Sequence, residues 1–387
     1  YAADGRIALF TCNADGTLSL EKIYETGVQP DMITFTPDGS KLLTADEGEP
    51  REGYSKGSTD PQGTVTIVDL ASDTVTKADF TAYDSEANRK QLTDTGIVLK
   101  KDTAPSVDLE PEYIAAGNTT AYITLQEANA IAVLDLDTKD FTGIYSAGFE
   151  DYSKTAVDID KKDGSYNPQT YDSLKGIRMP DSIAAYTANG SDYVIIANEG
   201  DSRKWGSYTN EDERNFGKGK TSPTGKITAE NSGLSGKVVF FDTQDYDGLD
   251  ADSDYLFGGR SFTIFKVDEN SLTEVFDSGS DFESTTAAYL PEFFNCSNNN
   301  IDIDDRSGKK GPEAESVTIG TVGEKTYAFV GLERVGGIMV YDITDPDQST
   351  YVNYINSRDF SADIAGDDSP EGLCFLSADD SFDGNSY

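Results

Sequence analysis

Histidine is absent from this chain of 387 residues, and cysteine, methionine and tryptophan are scarce. Without histidine, the sequence holds no Ser-His-Asp or Cys-His catalytic arrangement and no zinc-hydrolase motif. The cysteines Cys12, Cys296 and Cys374 are too few and too scattered for a disulfide framework or a zinc site, and at most one pair can bridge. No apolar run reaches the length of about 18 residues that a membrane span needs, so we expect no direct membrane insertion of this segment.

Basic residues are also few: 31 Lys and Arg stand against 70 Asp and Glu, which gives a net charge of −39. An acidic surface repels nucleic acid and anionic membranes and attracts cations, so we expect divalent cations among the partners and no nucleic acid. Acidity that only confers solubility, or that suits a salty medium, is the alternative. Because 21 Tyr and 19 Phe supply apolar surface to bury, we expect a globular protein rather than a disordered one.

One sequence motif recurs along the chain: a proline, a carboxylate within three residues, an apolar run, and a second carboxylate 15 to 18 residues after the first. Its openings lie at Pro30, Pro111, Pro180, Pro312 and Pro370. The complete copies carry the pairs Asp31 and Glu47, Glu112 and Glu127, Asp181 and Glu199, and Glu315 and Glu333, and the fifth opening carries Glu371. Recurrence at this scale indicates a repeat architecture.

Each copy predicts three short strands joined by turns, and strands in such groups indicate an all-β fold of the β-propeller type. In the third copy the strands are predicted at 182–186, 193–197 and 236–242, and residues 260–267 are interpreted as a degenerate blade. We expect one domain over 1–387, seven blades with incomplete terminal ones, and little helix beyond a short turn at 85–92. The polar insertions at about 71–108, 140–178, 201–235, 243–259 and 278–311 are predicted to be loops on the faces of the disc.

The two carboxylates of each copy are expected at the same end of one hairpin, because the second strand runs back antiparallel beside the first. Radial repetition then gathers the pairs around one mouth of the central channel. Oxygen ligands without His or Cys select Ca²⁺ or Mg²⁺. We therefore predict that Asp31, Glu47, Glu112, Glu127, Asp181, Glu199, Glu315, Glu333 and Glu371 bind a divalent cation, Ca²⁺. The alternative is that these carboxylates cap backbone amides and pair with arginines.

Three arginines follow closing glutamates closely and are expected to form ion pairs with them or to grip an anion: Arg51, Arg203 and Arg334. Asp/Gly-rich loops give weaker calcium signals. One carries Asp245, Asp247, Asp250 and Asp252, a second runs over 158–164, and a third runs over 298–305. None of them matches the EF-hand pattern, and solvated turns are the alternative for each.

Three sequons, at Asn118, Asn189 and Asn295, are compatible with glycosylation of a secreted protein. The first two fall in predicted hairpin turns, where a glycan has room. The chain begins with Tyr1 rather than Met and enters a predicted strand almost at once, so we expect a processed product or sequence missing on both sides.

Several longer motifs resemble the choice-of-anchor I β-propellers, a group that includes mesenchyme-specific cell-surface glycoproteins. They lie at residues 43–51 (LTADEGEPR), 197–203 (ANEGDSR), 255–262 (YLFGGRSF), 311–315 (GPEAE) and 329–338 (FVGLERVGGI). The resemblance covers roughly residues 28–376. It implies a secreted or surface-anchored protein, sometimes beside phosphatase or nucleotidase modules and linked to calcium and biomineral matrices. Members are often labelled alkaline-phosphatase-like, which is an analogy of fold rather than an assigned active site.

Three functional hypotheses follow. The first is a secreted or cell-surface calcium-binding propeller that acts as a binding or matrix module, with other extracellular proteins or copies of itself as partners. The second is a Ca²⁺-dependent phosphoric-ester hydrolase, in which Ca²⁺ and arginines grip a phosphate and a metal-bound water attacks. The third is a structural subunit of an extracellular filament or coat.

Overall fold

The four complete copies of the repeated motif fold into antiparallel hairpins, and each hairpin is completed to a four-stranded sheet. The computed structural model describes residues 3–50, 53–54 and 59–387. An N-terminal hairpin, β1 (Asp4–Cys12) and β2 (Leu18–Val28), precedes the first blade. That blade consists of β3 (Pro30–Phe35), β4 (Lys41–Asp46), β5 (Thr64–Asp69) and β6 (Thr74–Asp79), paired in this order. The predicted turn between its first two strands is present, with Gly39 at a φ of 67°.

The connection to the second blade contains the short helical segment that the sequence predicts. A 3₁₀ turn (Thr81–Tyr83) leads into α1 (Glu86–Thr93), and β7 (Leu99–Lys100) and α2 (Pro105–Asp108) follow. Ser85 caps α1, because its hydroxyl accepts a hydrogen bond of 3.2 Å from the Asn88 N–H. The second blade is then β8 (Pro111–Ala116), β9 (Thr120–Leu125), β10 (Ala130–Asp135) and β11 (Asp140–Ser146).

The third blade differs from the prediction in its third strand. After β12 (Phe149–Asp151) and β13 (Leu174–Ile177) come its first two strands, β14 (Ile183–Ala188) and β15 (Ser191–Ala197). A long insertion follows, with β16 (Lys204–Trp205), β17 (Tyr208–Thr209), β18 (Glu211–Asn215), a 3₁₀ turn (Phe216–Lys218), α3 (Ala229–Ser232), β19 (Lys237–Phe241), β20 (Tyr246–Asp247) and β21 (Asp254–Phe257). The blade is completed by β22 (Phe262–Asp268) and β23 (Ser271–Asp277). The interpretation of residues 260–267 as a separate degenerate blade is therefore wrong.

The insertions are not the simple polar loops that the sequence suggested. Strand β19, predicted as a blade strand, pairs with β18, and β13 pairs in parallel with β21 and antiparallel with β12. Aromatic side chains from these pieces form their own buried clusters, including Tyr152, Phe240 and Phe257. Apolar residues that are scattered in the chain therefore build a packed layer beside the blades.

The fourth blade follows α4 (Asp281–Tyr289) and comprises β24 (Ala314–Val322), β25 (Lys325–Leu332), β26 (Ile338–Asp342), a 3₁₀ turn (Pro346–Gln348) and β27 (Thr350–Ile355). The fifth opening does not form the predicted strand, since residues 371–377 have no regular secondary structure. Instead the Phe375 ring stacks on Phe329 of the fourth blade, with ring centroids 5.8 Å apart.

Hydrophobic clusters lie between successive blades, as face-to-face packing of sheets requires. One cluster joins Leu43 and Ile67 of the first blade to Ile123 of the second. Two further clusters join the second blade to the third and the third to the fourth. The inner strands β3, β8, β14 and β24 are successive neighbours. The all-β propeller fold is thus confirmed. The seven-bladed ring stays a prediction, because the described residues supply four four-stranded blades and no pairing between the first and the last.

Candidate functional site

A backbone irregularity at the start of three blades sets where the repeated carboxylates point. Gln29, Met179 and Glu313 adopt the left-handed conformation, with φ values of 55°, 45° and 55°. In the first and fourth blades the carbonyl of this residue accepts a hydrogen bond from the N–H of the closing glutamate. Glu47 donates to Gln29 across 3.0 Å, and Glu333 donates to Glu313 across 2.9 Å. The register shifts at these openings show that each is a β-bulge, a device that redirects side chains.

All four predicted carboxylate pairs are neighbours, and the pairs also meet across the blades. Burial and then the charges of Glu127, Glu47 and Asp181 raise the pKa of Glu112. Burial and then the charges of Asp181 and Glu333 raise the pKa of Glu315 to about 9. We call the connected set the mouth cluster, and its members are Asp31, Glu47, Glu112, Glu127, Asp181, Glu199, Glu315 and Glu333.

The part of the mouth cluster on the first and second blades forms no salt bridge with the described Lys and Arg residues. Asp31, Glu47 and Glu112 each offer a carboxylate oxygen, and these atoms all lie within 4.8 Å of one another. Glu47 and Glu112 are buried, whereas Asp31 is exposed. In the part of the chain that the structure describes, no Lys or Arg forms a salt bridge with these residues or with Glu127. Burial and the charges of Glu127, Glu49 and Asp31 raise the pKa of Glu47 to about 9.

The part on the third and fourth blades is compensated by basic side chains. Glu199, Glu313 and Glu333 converge in the same way, but Lys310 forms salt bridges with Glu199 and Glu313. Arg334 pairs with both Glu313 and Glu333. Although burial alone would raise it, the charges of Lys310, Arg306 and Arg334 lower the pKa of Glu313 to about 2. Protein cations therefore compensate much of the negative charge of this trio.

The uncompensated residues fit a divalent cation of the calcium type. Their side chains offer carboxylate oxygens only, the donors that Ca²⁺ prefers. Among the described residues, Glu127 Oε2, which belongs to the part of the mouth cluster without a salt bridge, is buried with no hydrogen-bond partner. Buried oxygens of this kind are rare in folded proteins, and an ion is one of the groups that satisfies them.

The predicted arginine partners are only partly those observed. Arg334 pairs with Glu333 as predicted, with Nη1 2.9 Å from Oε1. The pairing of Arg203 with Glu199 is wrong, because the buried Arg203 guanidinium contacts Asp108 at 2.7 Å and Glu110 at 2.5 Å. The packed insertion turns Arg203 toward the segment before the second blade. Arg51 lies outside the described residues.

Several other predicted site residues are not brought together. Glu371 is exposed and lies outside the mouth cluster, since its segment forms no hairpin. The predicted loop site also does not form: Asp247 pairs with Arg89 at 2.7 Å, and Asp252 is exposed near Lys226. Among the described residues, neither Asp245 nor Asp250 belongs to a group of converging acidic ligands.

The three sequons differ in accessibility. Asn118 and Asn189 are exposed in hairpin turns, as predicted. Asn295 is fully buried, and its Nδ2 donates hydrogen bonds to Glu283 Oε1 at 3.1 Å and Ser307 Oγ at 3.0 Å. The expectation of a glycan at Asn295 is therefore wrong for the folded chain, because the acceptor nitrogen is enclosed and already bonded.

The sequence motif did not identify Glu313 and Lys310 as residues of the site. In the fourth copy, Ala314 pairs with Leu332 at the place where Pro30 pairs with Asp46, so Glu313 corresponds to Gln29 in the first copy. Aligning the copies by their carboxylates rather than by their prolines would have revealed this shift. Lys310 carries no comparable signal, because it lies in a connection that has no counterpart in the other copies.

None of the helices in the described part of the chain has the length and apolar character that crossing a membrane requires. Two solved β-propellers illustrate the structural likeness. The Cps50 (Swd1) β-propeller domain of Myceliophteria thermophila aligns with a TM-score of 0.32 and 6% identity, covering 87% of this chain and 77% of that chain. The WD40 repeats of RRP9 align with a TM-score of 0.27 and 9% identity, covering 85% of this chain and 82% of that chain.

Two curated relatives are similar in sequence. The mesenchyme-specific cell surface glycoprotein of Strongylocentrotus purpuratus is 30% identical over 247 residues, covering 54% of this chain and 31% of that protein. Gigasin-3a of Magallana gigas is 37% identical over 92 residues, covering 22% of this chain and 32% of that protein. The chain thus spans about a third of the length of these relatives.

A family model described as the choice-of-anchor I domain matches residues 1–346. The matched range contains the mouth cluster, three whole blades and the first three strands of the fourth. The resemblance seen in the motifs is confirmed, and the chain belongs to the choice-of-anchor I domain family.

Proposed function

We propose that this propeller is an extracellular or cell-surface binding module whose mouth cluster binds Ca²⁺. The observation that carries the proposal is the convergence of Asp31, Glu47 and Glu112 oxygens within 4.8 Å, without a salt-bridge partner among the described residues. Buried carboxylates this close repel one another unless protons or cations compensate them. A cation bound by these carboxylates can also contact an external ligand, and the mouth cluster then serves as the binding site for that ligand.

The relatives and the acidic surface support an extracellular role. One relative is named a cell surface glycoprotein. The exposed sequons at Asn118 and Asn189 leave room for glycans on the hairpin turns. A matrix role, and assembly with other extracellular proteins or with copies of this chain, are extensions of the same proposal.

Thermal unfolding with and without Ca²⁺ tests the mouth site. A ligand that binds only the folded state at about 100 times its Kd adds about 2.7 kcal/mol to the free energy of unfolding. We expect Ca²⁺ to raise the Tm of the wild-type chain, and to raise that of Glu112→Gln by less. Glu324→Gln, which changes an exposed glutamate, is the matched control. Equal calcium-dependent rises in all three proteins would overturn the proposal.

A second candidate function, hydrolysis of phosphoric esters, has one observation in its favour. A cavity of about 170 Å³ beside the compensated carboxylates is lined by Arg306, Lys309, Lys310 and Arg334. Basic residues outnumber the acidic ones in this lining, which also includes Asp201 and Glu211, and basic side chains suit a phosphate group. However, three of them already pair with Glu313.

Turnover of a generic phosphate ester with added Ca²⁺ separates the two functions. Turnover that Glu199→Gln abolishes would favour the hydrolase. The binding module predicts no turnover, together with the calcium-dependent rise in Tm described above.

A further inference from the structure

A second group of converging carboxylates, with no residue in common with the mouth cluster, lies where two distant segments meet. Asp158 and Asp163 come from the loop after β12, and Asp304 comes from the connection between α4 and β24. Each residue offers one carboxylate oxygen, and these oxygens lie within 4.8 Å of one another. In the sequence the two segments gave only separate, weak calcium signals.

Asp304 provides an observation beyond mere acidity. Its side chain is fully buried, and Oδ1 accepts a hydrogen bond of 2.9 Å from the Ser307 hydroxyl. The second oxygen, Oδ2, is buried and has no hydrogen-bond partner among the described residues. Leaving a buried charged oxygen without a partner costs free energy, so such an atom in a folded protein points to a missing ligand.

The other two carboxylates are positioned but not saturated. Asp158 is 1% exposed, and its oxygens accept backbone hydrogen bonds from Asp160 at 3.1 Å and Asn167 at 2.7 Å. Asp163 is exposed; its oxygens accept hydrogen bonds from the Ser165 N–H at 3.1 Å and from Asn167 Nδ2 at 3.2 Å. A carboxylate offers about four lone-pair sites, so each group keeps acceptor capacity for a cation. Among the described residues, no Lys or Arg forms a salt bridge with any of the three ligands; the nearby Lys161 pairs with Asp305 instead.

The two segments are held in register by a separate buried network. Arg260 donates hydrogen bonds to the carbonyl oxygens of Asp158 and Ser307, both at 2.7 Å. Glu283 pairs with Arg260 and also accepts the Asp158 N–H at 3.1 Å. Asp158 and, through Ser307, Asp304 are therefore held close together before any ion arrives, which lowers the cost of ordering a site.

We propose that Asp158, Asp163 and Asp304 bind a second Ca²⁺, which links the loop after β12 to the segment before the fourth blade. The site takes Ca²⁺ rather than a transition metal because all its ligands are hard oxygens, and water fills the remaining positions through the exposed side of Asp163. The segment that this ion would stabilise continues into Lys309 and Lys310, which line the basic cavity. This site is independent of the proposed calcium site at the mouth.

Terbium, a luminescent substitute for Ca²⁺, can report on this site through Tyr166. The Tyr166 ring packs against Phe294, with centroids 5.0 Å apart, and the Phe294 carbonyl accepts the Asp304 N–H at 2.9 Å. Tyr166 is also the aromatic residue nearest in sequence to Asp163, and we expect it to transfer excitation energy to a bound terbium ion. We expect Tyr-sensitised terbium emission that Ca²⁺ displaces and that Tyr166→Phe reduces without loss of calcium binding.

Ligand variants complete the test, and the full chain carrying Glu112→Gln serves as the background so that the mouth does not contribute. Asp163→Asn, at an exposed position that tolerates change, is expected to weaken calcium binding by about tenfold or more. Asp304→Asn is expected to do the same, and Asp172→Asn, also exposed, is the matched control. Calcium titrations with the same affinity in Asp163→Asn and Asp172→Asn would overturn the second site, whatever the result at the mouth.

Discussion

The Gln126 side-chain amide donates a hydrogen bond to Glu199 Oε2 across 2.7 Å and thereby joins the second blade to the third at the mouth cluster. Gln126 directly follows β9, just as Glu47 follows β4 and Glu333 follows β25. The second blade thus carries a neutral amide at a position where the first and fourth blades carry a glutamate. The Gln126 amide donates a hydrogen bond to the Glu199 carboxylate, whereas a glutamate at this position would repel that carboxylate.

Gln126→Glu should therefore destabilise the protein when divalent cations are absent. The change removes a buried hydrogen bond and places a new charge beside Glu199, so we expect a loss of about 1–3 kcal/mol in the free energy of unfolding. Denaturant unfolding in a chelating buffer measures this loss. Gln348→Glu, which changes an exposed glutamine, should alter stability by less than about 0.5 kcal/mol. Equal effects of the two substitutions would contradict this account of the mouth.

Arg203→Met should be strongly destabilising, because it leaves two buried carboxylates without their cation. Arg203, Asp108 and Glu110 all have side chains less than 5% exposed. Removing one partner from such a group costs about 3–5 kcal/mol. The neighbouring Lys204 pairs with Glu211, but its own side chain is 64% exposed, so the control Lys204→Met should cost at most about 1 kcal/mol. If Asp108→Asn and Glu110→Gln did not restore part of the stability of Arg203→Met, uncompensated charge would not be the cause.

Glu150 should make the stability of the protein depend on pH. Burial and the nearby Asp277 raise its pKa to about 7, although Arg178 opposes this shift, and Glu274 also faces the group. Because the folded-state pKa exceeds that of the unfolded chain, the stabilisation is fully present below about pH 4.5 and is lost as the pH rises through 7.

Glu150→Gln removes this titration, so its free energy of unfolding should fall less steeply than that of the wild type between about pH 5 and 8. The difference should reach on the order of 2–3 kcal/mol across this window. Denaturant unfolding at a series of pH values measures the two slopes, with the exposed-site variant Glu269→Gln as the control. Parallel slopes for wild type and Glu150→Gln would show that Glu150 does not titrate in this range.

Gly258→Ala should disturb the mouth as well as the fold. Gly258 has a φ of 76°, and a Cβ there would lie 2.2 Å from the Glu199 carbonyl oxygen. Gly190 also has a φ of 76°, but a Cβ there would meet nothing within 4 Å. Gly190→Ala therefore measures the backbone strain alone, which should lower the free energy of unfolding by about 1 kcal/mol. Gly258→Ala adds the steric clash to this strain, so it should lower the free energy of unfolding clearly more. Equal losses of unfolding free energy in the two variants would mean that the close approach to Glu199 is unimportant.

The local features of the blades could be predicted from the sequence, whereas the pairing of the third blade could not. Strands β19 and β22 both show an apolar run that ends near an aspartate, so local pattern does not decide which of them pairs with β15. The answer depends on packing of the insertion, whose aromatic residues bury β19 beside β21. Pairing between segments far apart in the chain is set by tertiary contacts rather than by propensity.

The charge partners were predicted less well than the carboxylates themselves. Arg203 follows Glu199 by four residues, yet its partners Asp108 and Glu110 lie more than 90 residues earlier in the chain. Lys310, which compensates Glu199, comes from a connection 111 residues later. Proximity in sequence is a poor guide to ion pairs in loops, because loop conformation is not periodic.

The sequence by itself determined that each blade opens and closes with a carboxylate at one end of a hairpin, because antiparallel pairing and its turns are specified by residues close in the chain. Only the tertiary structure decided which carboxylates receive cations from the protein. The connections that deliver Lys310, Arg306 and Arg334 leave Asp31, Glu47 and Glu112 without a salt-bridge partner among the described residues. Electrostatic compensation depends on distances through space, and the packing of the insertions and connections fixes those distances.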